Sequence, residues 1–250
     1  MRNDPKQSDS RWLARIEELT GIDWLVIASI MMILMALMLP ATQHGSTPAS
    51  RTMCKNNLKQ IAIALHRYSE VHDAFPPAFT VDANGNRLHS WRTLILPYLE
   101  QSELYETIDL SKAWDHPANA EAYATTIASY RCPRLASPAT DTTYVAVLAE
   151  GTVFRSTEPR SLNEIGRPLR EKLMVVEVDS QEAVHWMSPY DGEWKFFLNM
   201  TEGSDLPHRF GVHGLFADGS VRFVPVSDSI SERNQWVSAE SSAKSGKDEE

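Results

Sequence analysis

The chain has 250 residues, with 24 Lys and Arg against 33 Asp and Glu, a net charge of −9 and a pI near 5.4. That balance argues against a nucleic-acid partner, because phosphate binding needs a surplus of basic side chains gathered on one face and the sequence offers no such cluster. Beyond an apolar run that ends near residue 40, about two hundred residues remain, enough for one large domain or two small ones with a real core.

Residues 1–20 are polar, with a short helical pattern around Trp12, Ile16 and Leu19. Trp24 to Leu39 then runs sixteen residues without a charged side chain, Gly or Pro. At 1.5 Å per residue this covers about 24 Å, and adding Gly21, Ile22 and Ala41 approaches the roughly 20 residues that a ~30 Å hydrocarbon core requires. A core helix would show a polar stripe and this run has none, so a transmembrane helix is expected over 22–41. Residues 1–21 precede the span, and Arg11 and Arg15 before it against Arg51 and Lys55 after it do not orient it by loop charge. Residues 1–23 carry four basic and five acidic side chains, and the apolar run is too long for the core of a cleaved signal peptide.

Gly45 and Pro48 make a joint of residues 42–50. A helix capped near Ser50 or Thr52 follows, with its apolar stripe at Cys54, Leu58, Ile61, Leu65 and Tyr68, spacings that keep one face of a helix together. Phe75-Pro76-Pro77 ends it. A helix this amphipathic needs a sheet or other helices against one face and is read as the spine of an α+β domain over 51–237. Phe79 to Trp91 reads as a hairpin turning at Asn84-Gly85. Trp91 to Ile108 is helix-like around Pro97, and Asn119 is placed to cap a helix over Ala120 to Tyr130. Strands are expected at Thr142–Leu148, Leu173–Val178, Ala183–Met187, Lys195–Leu198, Gly211–Phe216 and Ser220–Val224, the last two joined at Ala217-Asp218-Gly219. The composition from Ser238 to the end predicts a disordered tail.

Cys54 and Cys132 stand seventy-eight positions apart, a spacing that fits no zinc pattern. If the domain is exported they make one disulfide; if it is not, they are two small buried thiols.

The blocks CKNNLKQIAIALHRY (Cys54 to Tyr68), FPPAF, HSWRTLILPYLEQSELY, AWDHPAN, YRCP, LMVVEV and HRFGVHGLFADGSVRF resemble a large bacterial family, domain of unknown function 1559. Its members carry a prepilin-type amino terminus and end on a His, nine residues, then Asp-Gly; His208, Asp218 and Gly219 match that spacing. The resemblance covers roughly residues 40–226. It implies a pseudopilin-like protein of the inner membrane, N-terminus inside so that residues 1–21 form a cytoplasmic segment, with an extracytoplasmic α+β head of antiparallel sheet and spine helix. The family's processing site falls on Glu18-Leu19-Thr20-Gly21-Ile22-Asp23, which lacks the Gly before the cleavage point and has Asp in place of Glu. This departure points to a pilin-derived helix kept as a tether.

Chemistry is sparse. If Gly211 to Phe216 is a strand, His208 and Asp218 stand at its opposite ends, roughly 25 to 30 Å apart by strand rise, too far for a base and its orienting carboxylate. Both are read as structural. Asp82, Asn84 and Asn86 alternate as calcium ligands do, but Gly85 falls at the fourth loop position and Thr93 stands where Glu belongs, so a turn is expected. Asp109, Asp115 and Asn119 around Trp114 read as a surface loop, and His66 and His72 as ordinary helix residues. No cofactor, metal or catalytic residue is expected. The function expected is protein–protein interaction in a secretion or cell-surface assembly, with the membrane, other envelope proteins or a second copy as partners. The alternative is an extracytoplasmic solute- or glycan-binding module with Trp91, Trp114, Trp186 and Trp194 as stacking platforms.

Overall fold

The computed structural model describes residues 21–38, 47–133, 138–149, 151–166, 168–191 and 194–237. The polar amino-terminal segment, most of the joint and the tail from Ser238 lie outside them. The chain divides into two units, Met1–His44 and Gly45–Glu250.

In the first unit, α1 spans Gly21–Met38, 18 residues. The side chains of residues 24–33 all face outward, with Leu25 and Met32 each 72% exposed. Among the described residues no helix is long and apolar enough to cross a membrane. Residues 39–41 of the expected span lie outside the described residues.

The second unit is α+β. Helix α2, Thr47–His72, is its longest element at 26 residues. It starts ahead of the expected Ser50 or Thr52 because Pro48 falls in the first turn, where a helix has no intrahelical use for the missing N–H. Cys54, Leu58, Ile61 and Leu65 are fully buried along one face. Asp73 leaves the helix in the left-handed region, φ 58°, and Phe75 pairs with Arg160.

Beyond it, β1 (Phe79–Val81) and β2 (Arg87–Ser90) form the predicted hairpin, whose turn is tied by Asp82 Oδ1 accepting from the Asn84 and Asn86 backbone N–H groups, each at 2.8 Å. The helix-like stretch after it is broken into α3 (Trp91–Leu94), a 3₁₀ turn at Leu96–Leu99 and α4 (Ser102–Glu106). The helix predicted over Ala120 to Tyr130 is only α5, Ala120–Tyr123, with a separate 3₁₀ turn at Ala128–Tyr130. Asn119 does not cap it: its Oδ1 accepts from Asp109 N–H and its Nδ2 donates to the Ala113 carbonyl, so the side chain is spent on the preceding loop.

The main sheet has strand order β4-β5-β7-β8, all antiparallel, from β4 (Tyr144–Ala146), β5 (Leu173–Glu177), β7 (Gly211–Phe216) and β8 (Val221–Pro225). The strand predicted over Thr142–Leu148 divides, because β3 (Asp141–Thr142) pairs instead with β6 (Val184–His185) in a separate ladder. Both faces of the main sheet are covered. Ala146, Val175 and Leu215 join α2 in one core, while Val145, Val176, Val212, Phe216 and Val224 pack against Phe197, Met200 and Val237 in a second. This second core explains a correction: Lys195–Leu198 is not a strand but the start of α6, Phe196–Asn199, which with α7, Ile230–Val237, covers the far face. A short apolar run reads alike as strand or helix, and here the covering role decides.

Candidate functional site

A strand alternates its side chains, so Glu177 at the end of β5 shares a face with Val175, and His213 on β7 shares one with Leu215. Both point toward α2, into the core. His208 enters just before β7, where it bridges to Gly211. Glu177 and His208 are fully buried and His213 is 3% exposed.

The three meet at one carboxylate oxygen. Glu177 Oε2 lies 3.1 Å from His208 Nε2 and 3.2 Å from His213 Nδ1, and it accepts from the His213 backbone N–H at 3.3 Å. The His208 approach is close but not aligned as a hydrogen bond, and Glu177 Oε1 and both His208 ring nitrogens have no hydrogen-bond partner among the described residues. Burial alone would push the Glu177 carboxyl up; the two imidazoles facing it outweigh that and hold it below its ordinary value. Tyr144, the cross-strand partner of Glu177, has its phenol pushed well up by burial and by that carboxylate.

Cys54 and Cys132 are joined by a disulfide with Cα atoms 5.4 Å apart, within the normal range. Asn57, one turn along α2, donates from Nδ2 to the Arg131 carbonyl at 2.8 Å and so holds the Cys132 segment against the helix. One sulfur of each cysteine, a Glu177 oxygen and a His208 ring nitrogen all lie within 4.8 Å of one another. The chemistry open to such a set is metal ligation or thiol–disulfide exchange.

His213 also floors a surface hollow of about 590 Å³ that Arg51, Lys55 and Arg209 line. Arg51 lies over the Phe223 ring at 3.4 Å, and Phe210 stands half exposed on the rim with φ 68°.

The other predicted residues are placed apart. Asp218 and Gly219 form the β7–β8 turn, where Asp218 Oδ1 accepts from Ser220 N–H at 3.0 Å and Gly219 takes φ 79°. The four tryptophans do not gather in one pocket, although Trp114 and Trp186 both pack on the His185 ring. Trp91 is buried beside Phe154, Trp186 is buried and donates to the Thr125 carbonyl at 2.9 Å, Trp114 packs on Tyr123 and His185, and Trp194 packs against the second core.

Sequence reasoning left Glu177 and His213 out of the site. The available signal was an acid inside the apolar run LMVVEV, which a buried strand tolerates only with partners at hand. The buried Arg92–Asp191 pair was likewise not foreseen.

A family model described as a protein of unknown function, DUF1559, matches residues 48–196, more than half of the chain. The chain belongs to this family. The matched segment runs from the first turn of α2 to the start of α6, so it contains Cys54, Cys132 and Glu177, while His208 and His213 follow it. No curated protein and no solved structure matches the chain.

Proposed function

We propose that this family member is a membrane-tethered, pseudopilin-like protein whose α+β head sits outside the cytoplasmic membrane and acts by protein–protein contact in an envelope or secretion assembly, without catalysis. The observation that carries the reading is α1, whose side chains at 24–33 are exposed and apolar apart from Ser29, which spends its hydroxyl on the Val26 carbonyl. Its sequence continues uncharged to Leu39. An apolar surface of that extent needs lipid or protein to cover it. The disulfide supports export, since such bonds persist in oxidising compartments. Glu177 and His208 are fully buried between sheet and α2, which suits a framework better than a site that must admit substrate. The solute-binding alternative has less support, because Trp91 and Trp186 are buried and Trp194 packs on the second core, so the four tryptophans line no common pocket.

Blue-native electrophoresis of cross-linked, detergent-extracted membranes tests the proposal. The expected result is the chain in a species larger than its monomer. A strictly monomeric species with no cross-linked partner would count against it.

A further inference from the structure

A buried carboxylate is costly unless each of its lone pairs is answered. Glu177 gathers its contacts on Oε2 and leaves Oε1 unanswered among the described residues, while His208 presses a ring nitrogen to 3.1 Å without hydrogen-bond alignment. Beside them are two sulfurs, and all four side chains are buried, with ligand atoms inside 4.8 Å of one another.

We propose that reduction of the Cys54–Cys132 disulfide turns this cluster into a four-ligand zinc site made by Cys54, Cys132, Glu177 and His208. The step balances with a dithiol as reductant: its two thiols close to a disulfide as Cys54–Cys132 opens to two thiols. Zinc then replaces the proton on each cysteine, forming two Zn–S bonds and releasing two protons to solvent. The two sulfurs must move apart, since thiolates on one zinc stand nearly 4 Å from each other, and side-chain rotation supplies this.

The donor set selects the metal class. Two thiolates, an imidazole and one carboxylate suit zinc, whereas calcium and magnesium take oxygen throughout. His213 has a supporting role: its Nδ1 and its backbone N–H both face Glu177 Oε2, which leaves Oε1 for the metal and fixes the carboxylate plane. Ligands drawn from α2, the segment after the 128–130 turn, β5 and the entry to β7 make the site one that a folded head assembles and an unfolded chain does not.

The test uses the full chain in detergent micelles without oxygen, with cobalt(II) as the probe. The reduced protein is expected to take up one equivalent, with a thiolate-to-cobalt charge-transfer band and the intense visible bands of tetrahedral cobalt. Zinc should displace it, and the oxidised protein should show neither band. His213→Gln, which leaves all four ligands, is expected to weaken zinc binding about 10- to 100-fold while keeping the bands. Reduced protein that takes up no cobalt, or takes it up with a weak octahedral spectrum lacking the thiolate band, overturns the proposal. So does equal uptake by oxidised and reduced protein. These comparisons are made on the unmutated chain and do not depend on any variant folding.

Discussion

Arg92 and Asp191 close a buried ion pair that joins α3 to the sheet, ninety-nine residues apart in sequence. Arg92 is fully buried and its Nε and Nη2 both donate to the Tyr144 carbonyl, at 3.1 and 2.9 Å, while Asp191 Oδ2 accepts from Trp91 Nε1 at 3.2 Å and from Ala146 N–H at 3.1 Å. Removing one partner strands the other charge in the core. Asp191→Ala is therefore expected to cost about 3 to 5 kcal/mol, and Arg92→Met combined with Asp191→Leu to cost less than the single change. Urea unfolding of the three proteins, followed by tryptophan fluorescence, measures both.

The disulfide closes a loop of seventy-eight residues between α2 and the segment before β3. In the chain-entropy account a loop of that length contributes about 4 kcal/mol by restricting the unfolded chain. The Cys54→Ser, Cys132→Ser double variant should unfold at correspondingly lower denaturant, and added dithiol should lower the unmutated protein's midpoint in metal-free buffer without moving the variant's.

Much of the fold was legible because its signals are local. The stripe Cys54, Leu58, Ile61 and Leu65 announced α2, Asn84-Gly85 announced the first hairpin and Ala217-Asp218-Gly219 the last. What failed depended on partners distant in sequence. Asn119 reads as a cap until the Asp109 loop takes its hydrogen bonds, and Lys195–Leu198 reads as a strand until the far face of the sheet needs a cover. The site was less legible still. His208 was visible through its spacing to Asp218, but its contact is Glu177, brought beside it by the pairing of β5 with β7.

Stability should fall with acid in a window set by buried histidines. His89 on β2 is fully buried, and burial pushes its imidazole below the ordinary 6.5, against a smaller opposite pull from the Lys112 and Asp109 backbone. As pH drops through 6.5 the unfolded chain takes up a proton that the folded protein resists, so the unfolded state gains and stability declines until the lower folded value is passed. His89→Gln is expected to flatten the dependence of the urea midpoint between about pH 7.5 and 5. His66 and His185, also lowered chiefly by burial, should preserve part of the slope.

The central claim, a tether in the membrane with the head outside, is tested most directly by adding protease to spheroplasts of bacterial cells that make the full chain. The account predicts that the head is cut away from outside while a short amino-terminal fragment containing residues 21–38 stays in the membrane pellet through alkaline carbonate. A full-length chain protected from protease until the cells are lysed, or recovered in the carbonate supernatant, would contradict it.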